Sequence, residues 1–169
     1  MTSIHDRPAE VEDRQVPGSL EGDLVMGRRP SAVATLVERT SRIVRLVALP
    51  AGIKAGPVRA ALVADMLGVE PGRRRTLTWD RGREMADHTV FTDLTGCPVY
   101  ICDPRSPWQR GANENMNRLL RQYLPKNGDI GVHDQAALDR FAAKLNGRPR
   151  RVLGWRTPAE VWADLLAMD

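Results

Sequence analysis

Three carboxylates, Asp23, Asp80 and Glu114, stand at positions from which they could share one site. Asp23 falls in an apolar run that predicts a strand, Asp80 follows a second such run, and Glu114 falls in the first turn of a predicted helix. Converging carboxylates repel one another unless a cation lies between them, and Mg²⁺ accepts such oxygen ligands while keeping waters for substrate phosphates. Paired ions of this kind can cleave or join phosphodiesters. An isolated acid is more often a surface charge or a helix cap, so the pattern alone distinguishes these three only weakly.

The helix predicted over residues 112–124 has distinct apolar and polar sides. At about 100° per residue, one stripe collects the apolar residues Met116, Leu119, Leu120, Tyr123 and Leu124. On the other side, Asn117, Arg118 and Arg121 fall within about 60° of Glu114. Burial of the apolar stripe would therefore turn Glu114 toward the edge of a sheet, where the two strand-borne aspartates could meet it.

Length and composition indicate one globular domain. The chain has 169 residues, 42% hydrophobic and 27% charged, which is enough apolar material for a sizeable core. It contains no apolar run of membrane-spanning length and begins without the apolar stretch of a secretory signal, so we expect a cytoplasmic protein. Its two cysteines, Cys97 and Cys102, can form neither a disulfide framework nor a structural zinc site.

The positive charge of the chain is unevenly distributed. The net charge is +4, but residues 1–20 carry four acids and two bases. Residues 104–126 carry five bases and one acid, and residues 140–156 carry six bases and no acid. This pattern favours a polyanionic partner, nucleic acid first. The alternatives are an arginine bias in the genome and, for residues 140–156, a solvated helix face and turn.

The order of predicted elements is that of an α/β domain with a mixed sheet. Residues 1–19 are polar and predict an N-terminal arm, and residues 20–169 predict the domain. Strands are expected near residues 20–26, 32–37, 43–49, 75–79 and 98–102, with the second and third forming a hairpin. Helices are expected near residues 57–67, 84–95, 112–124, 134–145 and 158–168.

Four segments resemble successive landmarks of the bacterial insertion-sequence transposases of the IS-thirty family. They read LEGDLVMG, TWDRGREMADH, CDPRSPWQRGANENMNRLLRQYLP and LNGRPRRVLGWRTPAEVW. The resemblance runs from about Arg7 to the C-terminus, and 33 residues lie between Asp80 and Glu114, as in that family. The family belongs to the superfamily of DDE transposases and retroviral integrases.

This resemblance implies a ribonuclease-H-like fold: a mixed five-stranded sheet flanked by helices, plus C-terminal helices. It implies that Asp23, Asp80 and Glu114 are catalytic and bind Mg²⁺, for which Mn²⁺ could substitute. The implied reaction is cleavage and strand transfer at transposon ends. The implied partners are double-stranded DNA of transposon ends and target, and further copies of the chain in an active homo-oligomer, with no membrane. The implied location is the cytoplasm, on the nucleoid when bound to DNA.

Several residues near the three acids are predicted to contact DNA: Arg81, Trp108, Arg110, Asn117, Arg118 and Arg121. Asn113, Asn115 and Asn117 match the family's NEN-x-N pattern and are expected to orient Glu114 or contact the DNA backbone. Capping of the helix start is an equal alternative for Asn113. The family commonly has a small polar or amide residue where Arg81 stands, so Arg81 could pair with Asp80 or point at DNA.

The chain departs from full-length family members in length. Those members carry an N-terminal region with helix-turn-helix modules, and nothing comparable precedes Arg7. The first hypothesis is therefore a transposase catalytic domain. The second is a truncated, non-catalytic remnant that binds DNA or a full-length transposase. A ribonuclease acting on RNA–DNA hybrids would share the same acids.

Overall fold

The computed structural model describes residues 2–11, 16–80 and 82–168, apart from the side chains of Pro107 and Arg110. The strands are β1 (Ser19–Met26), β2 (Ala32–Glu38), β3 (Val44–Ala48), β4 (Thr76–Trp79) and β5 (Val99–Ile101). The α-helices are α1 (Ala55–Leu67), α2 (His88–Thr95), α3 (Gly111–Leu120), α4 (Gln135–Asn146) and α5 (Pro158–Ala167).

The strands form one mixed sheet in the order β3-β2-β1-β4-β5. β1 lies at the centre, antiparallel to β2 and parallel to β4. β3 extends the sheet antiparallel to β2, and β5 extends it parallel to β4. The predicted hairpin and the predicted mixed five-stranded sheet are confirmed.

One face of the sheet packs against α1 and α2. Its buried layer includes Leu36, Leu77 and Trp79 from the strands, Leu62 from α1 and Phe91 from α2. Burial of such large apolar side chains is the main favourable term in folding. This apolar core covers the central strands on one face of the sheet.

The opposite face packs against α3 and α4. Val25 and Val33 from the sheet contact a layer formed by Met116 and Leu120 of α3 and Leu138 of α4. The central strands are thus covered on both sides, as the pattern of apolar runs and amphipathic helices predicts.

Two helices begin at side-chain caps. Asp134 Oδ1 accepts a hydrogen bond from Ala137 N at 2.8 Å, and Thr157 Oγ1 accepts one from Glu160 N at 3.1 Å. Among the described residues, every helix is too short or too polar to cross a membrane.

The helix that carries Glu114 is shorter than predicted. A 3-10 turn over Pro107–Arg110 leads into α3, which ends at Leu120 instead of residue 124. The Arg121 guanidinium turns back and donates to the carbonyls of Met26 and Leu124 at 2.8 and 3.3 Å. Leu124 is nevertheless fully buried, so the predicted apolar stripe is confirmed although the helix does not extend through it.

The described part of the predicted arm packs on the domain. Thr2 O accepts a hydrogen bond from Ile101 N at 2.8 Å, and Ile4 and Val11 are buried. Arg7 is buried too, and its Nη1 donates to Thr78 Oγ1 at 3.0 Å. Residues 2–11 therefore contribute to the edge of the domain next to β5, and a boundary at residue 19 stays a prediction.

Close packing of Trp79 on β1 requires a glycine. The Trp79 ring lies across Gly22, where an added Cβ would overlap the ring carbons. The Trp79 indole is fully buried, and its Nε1 donates to Glu84 Oε1 at 3.1 Å. Gly22 and Trp79 each immediately precede one of the two candidate aspartates, so this contact packs the opposite face of the same two strands.

Gly22→Ala is expected to destabilise the protein by about 1–3 kcal/mol, because the added methyl overfills a closed core. Gly56→Ala, in the first turn of α1, is the matched control, since its Cβ would meet nothing within 4 Å. That control should leave stability unchanged or raise it by up to about 1 kcal/mol. Urea unfolding followed by circular dichroism measures both, and equal stability of the two variants would contradict this account of Gly22.

Candidate active site

Asp23 and Asp80 lie on neighbouring parallel strands. The register of β1 and β4 pairs Leu20 with Leu77 and Glu21 with Thr78. Continued by two residues, the same register sets Asp80, immediately after β4, beside Asp23. The sheet therefore brings together two acids that are 57 positions apart in the sequence.

Both aspartates belong to the face of the sheet covered by α3. Side chains alternate along a strand, so Asp80 lies on the side opposite Trp79. Asp23 lies on the α3 side, because its Oδ2 accepts a hydrogen bond from Asn117 Nδ2 at 3.1 Å. Backbone amides hold the other oxygens: Leu24 N donates to Asp23 Oδ1 and Gly82 N to Asp80 Oδ1, each at 2.8 Å. Both carboxylates are half-buried and oriented.

Glu114 is exposed on the flank of α3. It precedes Asn117 by three residues, a spacing that makes the two side chains neighbours on the helix surface. Within the described residues, no three Asp, Glu, His or Cys side chains are grouped closely enough to hold a metal ion. The structure thus brings the two aspartates together and places Glu114 one helical turn from the amide that contacts Asp23. Their role as metal ligands stays a prediction, although half-buried carboxylate oxygens are donors that Mg²⁺ takes.

Asn113 and Asn117 connect α3 to the sheet. Asn113 is fully buried, and its Nδ2 donates to Glu21 O at 3.0 Å and to Thr35 Oγ1 at 3.2 Å. Thr35 Oγ1 also lies 3.5 Å from Asn117 Oδ1. These contacts hold α3 against the strands, and an orienting role of the asparagines toward Glu114 stays a prediction.

Glu21 supports this site from inside the domain, and the sequence patterns did not identify it. Its carboxylate is fully buried, forms an ion pair with Arg39, and accepts a hydrogen bond from Asn113 N at 2.7 Å. In the sequence, Glu21 is an acidic interruption of the apolar run at residues 20–26. Its spacing of two from Asp23 could have identified it, because residues i and i+2 of a strand share a face.

The predicted DNA contacts fall into different environments. Trp108, 73% exposed, and Arg118, also exposed, are accessible to a ligand beside the start and middle of α3. Asn117 and Arg121 are half-buried and bonded within the domain, Asn117 to Asp23 and Arg121 to backbone carbonyls. Arg81 and the side chain of Arg110 lie outside the described residues.

The basic stretch 140–156 adjoins the end of α3. Arg148 Nη2 donates to Tyr123 OH at 2.7 Å and to Gln122 Oε1 at 3.2 Å. Beyond it, Arg150 and Arg156 are paired across a tight turn. Arg151, in this turn, is exposed and has no ion pair with any described residue.

Trp155, in the turn before α5, does not pack that helix onto the domain. Its side chain is 67% exposed. Gly154 and Trp155 have φ of +62° and +67°, the left-handed conformations of a tight turn between Arg150 and Arg156. This backbone geometry directs the indole outward, away from the domain.

Comparisons with known proteins agree with this architecture. The chain is 51% identical over 168 residues to the transposase for insertion sequence element IS1086 of Cupriavidus metallidurans, covering 99% of this chain and 49% of that protein. It is 48% identical over 160 residues to transposase InsI for insertion sequence element IS30A of Escherichia coli K12, covering 95% of this chain and 42% of that protein. The chain thus spans about half the length of the relatives it matches. No family model matches the sequence.

A solved structure shows the same fold. The simian T-cell lymphotropic virus intasome, in complex with PP2A regulatory subunit B56 gamma, contains a chain that superposes with a TM-score of 0.58 at 17% identity. The superposition covers 78% of this chain and 49% of that one. The fold is ribonuclease-H-like α/β, as predicted, and the chain belongs to the IS-thirty family of insertion-sequence transposases.

The two cysteines lie in the interior. Cys97 and Cys102 are 0% and 3% exposed. Burial raises the pKa of the Cys97 thiol to about 12, against a smaller opposing effect of Arg74. Because only a thiolate is strongly nucleophilic or binds metal well, Cys97 is inert near neutral pH.

We expect neither cysteine to react with Ellman's reagent in the native protein at pH 8, and two thiols per chain to react after denaturation in guanidinium. The physical reason is exclusion of the reagent, together with protonation of Cys97 far above pH 8. Absorbance of the released thiolate measures both numbers. Rapid labelling of the native protein would show that the β5 region opens readily.

Proposed function

We propose that this chain is the catalytic domain of a transposase that cleaves and joins DNA with Asp23, Asp80 and Glu114. The same proposal includes double-stranded DNA as substrate, divalent metal as cofactor and a homo-oligomer as the active form. Its support is the relationship to insertion-sequence transposases together with the integrase-like fold. Because this chain corresponds to about half the length of those relatives, we propose the catalytic activity for this domain from its own residues.

The observation that carries the proposal is the alignment of Asp23 and Asp80 on adjacent parallel strands beneath α3. Two half-buried carboxylates at neighbouring positions repel each other, and this repulsion is relieved when a cation lies between them. Glu114, on the helix that contacts Asp23 through Asn117, would be the third acid of the site.

Each residue has a separate task in the proposed reaction. Asp23 and Asp80 would hold divalent ions from the sheet, with one carboxylate oxygen of each oriented by a backbone N–H. Glu114 would complete the coordination from α3. Bound Mg²⁺ would supply an activated water or 3′-hydroxyl and stabilise the departing oxygen of the phosphodiester. The protein itself contributes positioning and charge.

The DNA backbone would be held by arginines outside the acid cluster. Arg118 is exposed one turn beyond Glu114, and the contact of Arg148 with Gln122 brings the 148–156 turn next to the same helix. Exposed Trp108 and Trp155 offer aromatic faces at the two ends of this region. Arginine-phosphate contacts position a duplex without reading its sequence.

Asp80→Asn is expected to abolish Mg²⁺-dependent nicking and strand transfer on DNA carrying the element's ends, while DNA binding survives. The amide oxygen can still accept from Gly82 N, so the fold should be kept. Asp93→Asn, an exposed aspartate on α2, is the matched control and should retain activity. Gel analysis of labelled products measures both reactions.

Three other outcomes of this experiment would each contradict the proposal in a different way. DNA binding with no metal-dependent product from the wild type would favour the non-catalytic remnant. Preferential cleavage of RNA–DNA hybrids, offered beside duplex DNA, would favour a ribonuclease. An active Asp80→Asn variant would contradict the proposed site.

DNA affinity should fall steeply with salt, by about 0.9 log unit per phosphate contact for each tenfold rise in concentration. Arg118→Ala and Arg151→Ala should each reduce that slope by about one unit, because each removes one phosphate contact. Arg75→Ala, an exposed arginine before β4 at the opposite end from Asp80, is the control and should not change the slope. Fluorescence anisotropy across a salt series gives the slopes, and equal slopes for all three variants would place the DNA elsewhere.

A further inference from the structure

We infer that Glu21 is a positioning residue for Glu114: buried in the sheet, it sets where α3 lies along β1. The inference rests on the proposed function. Glu21 itself does not face the candidate metal site, since both of its carboxylate oxygens are engaged inside the domain. Oε1 pairs with Arg39 and Oε2 accepts from Asn113 N, one residue before Glu114.

The contacts of α3 with β1 repeat with a matched spacing. Glu21 contacts Asn113, and Asp23 contacts Asn117. Four helical residues rise about 6 Å. Two strand residues rise about 6.6 Å. The helix and the strand therefore run side by side with nearly equal rise between the two contacts. Glu114 lies on the exposed flank of α3 between them.

Apolar packing alone would not define this position. Met116 and Leu120 bury α3 against the sheet, but such contacts are non-directional and tolerate sliding or rotation of a helix. A rotation by one residue, about 100°, would carry Glu114 away from the aspartates. Hydrogen bonds are directional, and those from Asn113 N and Nδ2 to Glu21 restrict both sliding and rotation.

Stability alone is a poor explanation of this buried pair. Glu21 and Arg39 are 0% and 4% exposed, and removing two charges from water offsets most of their attraction. An apolar pair of similar volume often stabilises a protein equally well. What the carboxylate adds is a second acceptor oxygen aimed at the first turn of α3, where backbone N–H groups lack helical partners and favour negative charge.

The test compares Glu21→Gln with Glu38→Gln. Glu38 is also buried, and its two oxygens also accept from several donors, but those donors are Gly18, Thr40 and Ser41, away from α3. A glutamine has one acceptor oxygen, so each variant leaves a buried donor unpaired. We expect both variants to lose thermal stability, and only Glu21→Gln to bind Mg²⁺ about tenfold or more weakly by calorimetry.

A second variant separates positioning from stability. If Glu21→Gln fails to fold, the double variant Glu21→Leu, Arg39→Met takes its place. It replaces the buried ion pair by apolar groups and leaves no buried charge without a partner. Because Asn113 N still lacks its acceptor, this double variant should fold with a melting temperature below that of the wild type but not below that of Glu21→Gln, and should still bind Mg²⁺ about tenfold or more weakly. Its nicking activity should recover at raised Mg²⁺ concentration, which a simple folding defect would not allow.

Two results would overturn the inference, and a third would overturn the proposed function instead. Wild-type Mg²⁺ affinity in both Glu21 variants, or equal weakening in Glu21→Gln and Glu38→Gln, would remove the positioning role. If Asp80→Asn bound Mg²⁺ as tightly as the wild type, the metal site itself would be wrong. Asp80→Asn therefore distinguishes the two claims: if it loses Mg²⁺ binding while both Glu21 variants keep it, the proposed function stands and only the role of Glu21 is rejected.

Discussion

The parallel pairing of β1 with β4 is the constraint on which the candidate site depends. Two carboxylates at neighbouring positions repel each other, and on mobile loops they would move apart. Asp23 lies within a central strand and Asp80 at the end of the next, and helices cover both faces of the sheet. The parallel pairing holds the two strands together, and the Trp79 ring packs on Gly22 across them. The fold thus opposes the repulsion that a cation would relieve.

A second constraint, of a different kind, is the polar seam between α3 and β1. It consists of Glu21, Asp23, Thr35, Asn113 and Asn117. Most of the protein is held by apolar burial, which tolerates small displacements. Asn113 and Asn117 instead meet Glu21 and Asp23 through directional contacts, and Thr35 lies between them. Such a seam is unfavourable unless its members are satisfied, so it selects one arrangement of helix and strand. The position of Glu114 depends on that arrangement.

The arginines of this chain serve different purposes in the structure. Arg39 is buried against Glu21, and Arg121 bonds to carbonyls at the end of β1. Arg118 and Arg151 remain exposed. Charge counted along the chain predicts a polyanionic partner, but it does not distinguish arginines that build the domain from those that can reach DNA. Only the three-dimensional contacts make that distinction.

Much of this protein could be predicted from its sequence, because hydrophobic periodicity, caps and turn residues are local. The five strands, the helices and the cap at Thr157 followed from such patterns, and the motifs around Asp23, Asp80 and Glu114 indicated the family. The end of α3 and the buried Glu21 depended on partners distant in sequence, Met26 and Asn113. An acid in an apolar strand has the same local signature whether it reaches solvent or binds a helix. Its role was decided by tertiary structure, since only folding brings the groups that satisfy it within hydrogen-bonding distance.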